Sequence, residues 1–192
     1  MFLSNLLVTG PAVSPEAITA FKAIWKCPVP SKVSALLWKL LHDRLPTKIN
    51  LIRRRVVLAD NEQACAFCGN GTETSLHLLL YCDFAMSVWY GVFDWLGLFL
   101  QFPQNFQSIF NFAGAVSGRK QIKQALMMVW GAVIWALWQH RNNIVFENGR
   151  PDSVTVIDRI KTSSWKWWMG RANGSPCLLY EWLSEPLVCM AS

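Results

Sequence analysis

The chain of 192 residues carries a formal net charge of +6 at neutral pH, and 53% of its residues are hydrophobic whereas only 16% are charged. This balance excludes an intrinsically disordered chain, because so many apolar side chains can offset the entropy lost on ordering. The 11 Gly and 9 Pro follow no period, which excludes a collagen-like repeat, and 6 Cys are too few for a disulfide-stapled scaffold. The length suits one domain or two small ones with a substantial core.

The apolar surplus does not predict a membrane protein. The longest uncharged apolar run covers residues 125–138 and is too short for a spanning helix, which needs about 18 residues. The first residues lack the basic segment and the cleavage site of a signal peptide. We therefore expect no membrane association and an intracellular chain, either nuclear or cytoplasmic.

Helical periodicity of apolar side chains runs through the whole chain, and strand-like alternation is scarce. Prolines, glycines and capping residues divide it into segments. The predicted helices cover residues 16–25, 31–43, 48–54, 76–81, 84–98, 119–146 and 153–168. The predicted N-caps are Ser31, Thr47, Thr72 or Thr74, and Asp152 or Ser153. The fold class is all-α: a small helical bundle with a central metal-nucleated loop, followed by a Trp-rich helical tail.

The loop before the fourth predicted helix carries the strongest chemical signal. Cys65 and Cys68 are followed by His77 and Cys82 in a C-x2-C-x8-H-x4-C spacing. Zinc binds four such ligands as a tetrahedron, so the spacing predicts a closed Cys3His structural site with no open position for a substrate water. Because His77 and Cys82 are five residues apart, we expect the helix that carries them to fray near Cys82. Two alternatives stay open: buried thiols with a core histidine, or a disulfide.

A second signal is charge, because the segment 22–55 holds nine Lys or Arg against a single acid, Asp43. Such a concentration predicts contact with nucleic-acid phosphates without reading the bases. The alternative is a solvated helix face. The predicted phosphate-binding residues are Lys32, Lys39, Arg44, Lys48, Arg53, Arg54 and Arg55.

No motif in the sequence indicates catalysis. His42 and His140 lie near predicted helix ends without a nucleophile at triad spacing. The sequence has no Gly-rich phosphate loop and no adjacent carboxylates of the kind that polymerase chemistry requires. We therefore expect that the chain is not an enzyme, and that Cys177 and Cys189 are bystanders to the zinc loop.

The basic stretch and the zinc loop occur together in one known family. The residues that carry the resemblance are Ile24-Trp25-Lys26, Val29-Pro30-Ser31-Lys32-Val33, Leu37-Trp38-Lys39-Leu40-Leu41-His42-Asp43-Arg44-Leu45-Pro46-Thr47-Lys48, Asn50-Leu51, Arg54-Arg55, Cys65, Cys68-Gly69, Glu73-Thr74, His77-Leu78, Cys82 and Trp89. With them, the sequence resembles the reverse-transcriptase zinc-binding domain of plant LINE-type (non-LTR) retrotransposon polyproteins. The resemblance covers about residues 21–98 and implies zinc ligation by Cys65, Cys68, His77 and Cys82.

The resemblance also shapes the predicted organisation and function. We predict an irregular segment 1–20, a reverse-transcriptase-type zinc-binding domain 21–98, a linker 99–118 and a helical tail 119–192. The implied function is a zinc-binding accessory module that contacts RNA or DNA without sequence specificity. A reverse-transcriptase domain is a further candidate partner. The sequence itself contains no polymerase, endonuclease or ribonuclease H motif. The alternative function is a protein-docking fragment of a decayed element that binds no nucleic acid.

Overall fold

The computed structural model describes residues 15–56, 63–99, 101–115, 120–170 and 176–191. Within these ranges every regular element is helical, and the all-α prediction is confirmed. The elements are α1 (Pro15–Lys26), α2 (Ser31–Leu41), α3 (Lys48–Arg53), a π turn (His77–Tyr81), α4 (Asp83–Trp95), α5 (Phe106–Ala115), α6 (Lys120–Glu147), α7 (Ser153–Met169), α8 (Leu179–Ser184) and α9 (Pro186–Ala191). The expectations for residues 1–14, 57–62 and 116–119 lie outside the described residues.

Local sequence signals set most helix ends. Thr47 caps α3 by accepting a hydrogen bond from the Asn50 amide at 3.4 Å, and Asp152 caps α7 through the Thr155 amide at 3.1 Å, so both predicted caps are confirmed. The prediction of Ser31 as an N-cap is wrong. Pro30 is the N-cap instead: its ψ of 143° is extended, and its carbonyl accepts a hydrogen bond from the Ser34 amide at 3.1 Å, so Ser31 is already the first residue of α2.

Two of the basic helices end in the same way. α2 stops at Leu41 rather than at residue 43, because Asp43 adopts a left-handed conformation with φ 48°. After α3, Arg55 takes the same conformation with φ 61°. In both cases the amide of the left-handed residue and the amide of the residue after it donate to carbonyls in the last turn of the helix, which is the Schellman pattern that normally places glycine at this position.

The long helix α6 forms the centre of the molecule. Its side chains from residue 125 to residue 138 are buried on nearly every side, with only Trp135 partly exposed. It packs against α2, α5, α7, α9 and the π turn, while α1 packs on α2 and α5, and α4 on α7. The uncharged run identified in the sequence is therefore the core helix of a bundle. Among the described residues, no helix has the length and apolar character needed to cross a membrane.

Two regions differ from the sequence-based expectation. Inside the stretch expected to be a linker, α5 buries Phe106, Ile109 and Phe110 against its neighbours, because these side chains repeat at helical spacing. Near the C-terminus, Cys177 and Cys189 form a disulfide that joins the segment before α8 to α9. These cysteines are separate from the zinc loop, as expected, but they are not bystanders to the fold.

Candidate metal centre

The first two candidate ligands lie on a tight loop between residues 63 and 72. The Gly69 amide donates to the Cys65 carbonyl at 2.9 Å, and the Cys65 amide donates to the Gly71 carbonyl at 3.0 Å. Gly69 and Gly71 have φ of 69° and 65°, a region that side chains disfavour. The loop therefore turns back on itself and presents both sulfur atoms on its inner side.

The other two candidate ligands flank the π turn. Thr74 Oγ1 accepts a hydrogen bond from the His77 amide at 3.0 Å, which confirms Thr74 as a cap. The Cys82 amide then donates to the His77 carbonyl at 2.7 Å, five residues back. This wider turn stacks residue 82 over residue 77, which a regular helix does not do. The expected fraying near Cys82 is thus replaced by a π turn, and the chain becomes extended only at Cys82 itself.

The four ligand atoms converge. The Sγ atoms of Cys65, Cys68 and Cys82 and a ring nitrogen of His77 all lie within 4.8 Å of one another. Cys65 Sγ and Cys82 Sγ are 3.9 Å apart, and Cys68 Sγ is 3.4 Å from His77 Nε2. A zinc tetrahedron has edges of about 3.8 Å between two sulfurs and about 3.6 Å between sulfur and nitrogen. The donor set and its spacing therefore fit a zinc ion with four protein ligands.

The pKa values of the two buried thiols, Cys65 and Cys82, shift in opposite directions. A hydrogen bond from Cys82 lowers the pKa of Cys65 to about 5, against the opposing effect of burial, and nearby backbone amides act in the same direction. The same contact, together with burial, raises the pKa of Cys82 well above its usual value. Of these two cysteines, Cys65 is thus the more readily ionised, and binding of a metal ion must displace the proton of Cys82.

A buried carboxylate supports the loop from outside. Glu73 is fully buried, and its Oε2 accepts a hydrogen bond from the Ala66 amide at 3.1 Å, between the first two cysteines. Its Oε1 accepts from the Lys48 amide at 3.1 Å and from Arg141 Nη2 at 2.8 Å. Arg141 belongs to α6 and is only 4% exposed. One side chain therefore ties the metal loop to the start of α3 and to the central helix.

His140, next to Arg141 on α6, packs on the same loop. Its ring lies parallel to that of Phe84 with centroids 5.3 Å apart, and Phe67 of the loop lies at 6.0 Å. Nε2 accepts a hydrogen bond from the Asp152 amide at 3.2 Å, which requires a neutral ring. Burial, with a smaller contribution from the charge of Arg159, lowers the pKa of His140 below its ordinary value.

The predicted phosphate-binding residues separate into two groups. Lys39, Arg44, Arg53 and Arg54 line one groove with a volume of about 660 Å³ between α2 and α3. The other three do not line this groove. The Lys32 ammonium lies 5.1 Å from the Trp135 ring centroid, and Lys48 Nζ donates to the Ala64 carbonyl at 2.8 Å. Arg55 occupies the exposed left-handed position after α3.

One carboxylate, Asp43, also lines this groove. It pairs with Arg53 at 2.8 Å and accepts hydrogen bonds from Asn50 and Ser75. Burial alone would raise the pKa of Asp43, but the hydrogen bonds from Asn50, Ser75 and Arg53 outweigh it and lower the pKa. Because Ser75 is two residues before His77, its hydrogen bond to Asp43 links the lining of the groove to the metal centre.

The sequence did not predict the two buried residues that hold the metal loop in place, Glu73 and Arg141. Glu73 and Arg141 are separated by 68 positions, and no local spacing pairs them. Glu73 belongs to the family pattern, but that pattern does not say what the carboxylate contacts. The nearest available signal was Arg141 itself, a charge just beyond the uncharged apolar run 125–138, because a charge that is buried requires a partner.

Comparison with known proteins bears on both the loop and the tail. Residues 11–89 match a protein-family model described as zinc-binding in reverse transcriptase. A curated relative from Arabidopsis thaliana, a putative ribonuclease H protein, is 25% identical over 159 residues, which is 82% of this chain but only 24% of the relative. The chain thus spans about a quarter of that relative. No solved structure matches the chain.

Proposed function

Because residues 11–89 match the zinc-binding domain of reverse transcriptases, we propose that the chain is a zinc-folded accessory module that holds RNA or DNA by its phosphates. It reads no bases through this contact and has no polymerase activity of its own. Its setting is the nucleus or the cytoplasm. The observation that supports the proposal is the groove between α2 and α3, which, among the described residues, is lined by four cationic side chains and one carboxylate.

The cationic side chains of the groove are exposed and clustered, as expected of a surface that binds a polyanion. Lys39, Arg44, Arg53 and Arg54 are all exposed, and Arg53 and Arg54 fold back from α3 towards the end of α2. Asp43 neutralises only one of them. Clustered exposed cations attract phosphates by releasing condensed counterions, which is favourable without any specific base contact.

The metal centre supports the groove. Ser75 Oγ donates to Asp43 Oδ1 at 2.8 Å, and Lys48, the first residue of α3, is held by the Glu73 carboxylate. When bound, zinc would fix residues 65–82 by joining four side chains to one ion, and would supply no reactive chemistry there. The metal therefore has a structural role: it orders the residues that support the proposed nucleic-acid-binding groove.

Binding of labelled RNA and DNA between about 50 and 200 mM salt tests the proposal. The variant Lys39→Gln/Arg53→Gln/Arg54→Gln removes three contacts. It should reduce the slope of log affinity against log salt by about 2 for single strands and about 3 for duplexes. Zinc content, measured in parallel, should stay unchanged.

The matched control is Lys120→Gln/Arg150→Gln/Lys166→Gln, which removes the same charge from exposed positions outside the groove. Equal losses in both triple variants would mean that net charge alone attracts the nucleic acid. Salt-independent binding, or none, would refute the proposal. In that case, recovery of a reverse-transcriptase domain after nuclease treatment would favour the protein-docking alternative.

A further inference from the structure

The groove contains an aromatic platform as well as charge. Trp38 lines it, and the Trp38 ring lies 4.5 Å from the His42 ring, which in turn stacks on Phe21 at 4.5 Å. The Arg44 guanidinium lies over Trp38 at 5.8 Å from the ring centroid. The Trp38 and His42 rings are inclined to each other by 56°, so His42 stacks on Phe21 and not on Trp38. Trp38 and Arg44 are the two flat groups that line the groove itself.

The remaining cations converge on the same turn. Arg53 Nη1 contacts the Asp43 carboxylate at 2.8 Å, and Arg54 Nη2 contacts the Arg44 carbonyl at 2.7 Å. A guanidinium carries five N–H donors, so each of these contacts leaves donors on the other nitrogens for a phosphate. Lys39 lines the groove from α2, one residue after Trp38. The platform is thus flanked by cations from both helices.

We propose that this groove takes an unpaired nucleobase, stacked on Trp38 and Arg44, with the neighbouring phosphates on Lys39, Arg53 and Arg54. The volume of about 660 Å³ lies within the range of pockets that hold small organic ligands. Stacking on an aromatic ring accepts any base, because every base has a π face. In a duplex the bases are already stacked and paired, so only a single strand gains from the platform.

The inference rests on the proposed function and narrows its ligand to single-stranded RNA or DNA. It predicts that an intact single strand binds more tightly than an abasic strand that has the same phosphates. Phosphate contact alone would not require an aromatic ring in the groove. The loss of a stacked base from such a platform corresponds to a weakening of roughly 5- to 150-fold.

The first experiment uses the unaltered protein. Its affinity is measured for a single-stranded oligonucleotide, for the same strand with abasic sites, and for the matching duplex, with RNA and DNA arms. We expect the intact single strand to bind most tightly and the abasic strand to lose roughly 5- to 150-fold. Equal affinity for the abasic and intact strands would overturn the inference, because the phosphates are the same.

The second experiment changes the platform. Trp38→Leu should weaken single-strand binding and leave duplex binding and the salt slope unchanged, whereas Trp38→Phe should retain most of the affinity. Tyr90→Leu, an exposed aromatic on α4 outside the groove, is the control and should change neither. If salt-dependent binding persists and Trp38→Leu has no effect, only this inference fails. If no nucleic acid binds at all, the proposed function fails with it.

Discussion

Replacing Arg141 by Met would leave the Glu73 carboxylate charged and buried without its cation. The two groups are 2.8 Å apart, and their side chains are 4% and 0% exposed. Loss of one partner of such a pair costs about 3–5 kcal/mol, because the remaining charge keeps its desolvation penalty. Methionine preserves most of the apolar stem, so lost packing adds little. Urea unfolding of the zinc-loaded chain, followed by tryptophan fluorescence, measures the change in the free energy of unfolding.

The molecule supplies its own comparison. Arg53 and Asp43 form a pair of the same 2.8 Å length, but their side chains are 64% and 53% exposed. Solvent screens such a pair, and Arg53→Met should therefore cost less than about 1 kcal/mol. The double variant Glu73→Gln/Arg141→Met removes both buried charges. It should recover part of the loss, because the carbonyl of the introduced side-chain amide can still accept one backbone hydrogen bond.

Zinc affinity provides a second readout of the same change. Glu73 fixes the Ala66 amide between Cys65 and Cys68, so loosening of the carboxylate should weaken zinc binding by about 10- to 100-fold. Competition with a chromophoric chelator measures this. The reasoning is refuted if Arg141→Met destabilises the chain no more than Arg53→Met does, or if its zinc affinity equals that of the unaltered protein.

Four further predictions concern other parts of the molecule. Cys68→Ser should abolish stoichiometric zinc, seen by elemental analysis, and should remove hydrogen-exchange protection from residues 63–85, because metal binding supplies folding energy there. Arg55→Gly should raise the free energy of unfolding by about 0.5–1 kcal/mol in urea, because glycine adopts the left-handed position without strain. The pKa of His140 is lowered in the folded state, so the free energy of unfolding should fall as the pH drops below about 6.5, where the unfolded state takes up the proton first. His140→Gln should lack this loss of stability when its unfolding is compared between pH 7 and pH 5. Replacing Cys177 and Cys189 together by Ser should lower stability by about 3 kcal/mol in thermal or urea unfolding, and a reductant should have no effect on that variant.

The features that the sequence predicted are those with local causes. The C-x2-C turn and the glycine beside it lie within a few residues, so spacing alone indicated a shared metal loop. Thr47 and Asp152 cap helices through amides three residues away, which is also a short-range pattern. The helix over residues 119–146 was also predicted from its apolar spacing, but its central position was not, because the sequence assigned it to a tail.

The features that the sequence did not predict depend on distant partners or on competing local geometries. The π turn differs from an α-helix by one residue per hydrogen bond, and the apolar spacing of residues 76–81 does not distinguish the two. The Glu73–Arg141 pair joins segments that only the packing of α6 brings together. The helix within the expected linker was masked by flanking Pro and Gly residues, although its own apolar spacing was regular.

The buried ion pair also limits how this protein can be divided. All four candidate ligands lie within the family-matched residues 11–89, yet the cation that neutralises Glu73 comes from α6. An expression fragment trimmed at the family boundary would lose the cation that pairs with Glu73 and would uncover the sides of α2 and the π turn that α6 now occupies. Transplanting this zinc loop into another scaffold therefore requires either a cation placed where Arg141 stands or a neutral amide in place of Glu73.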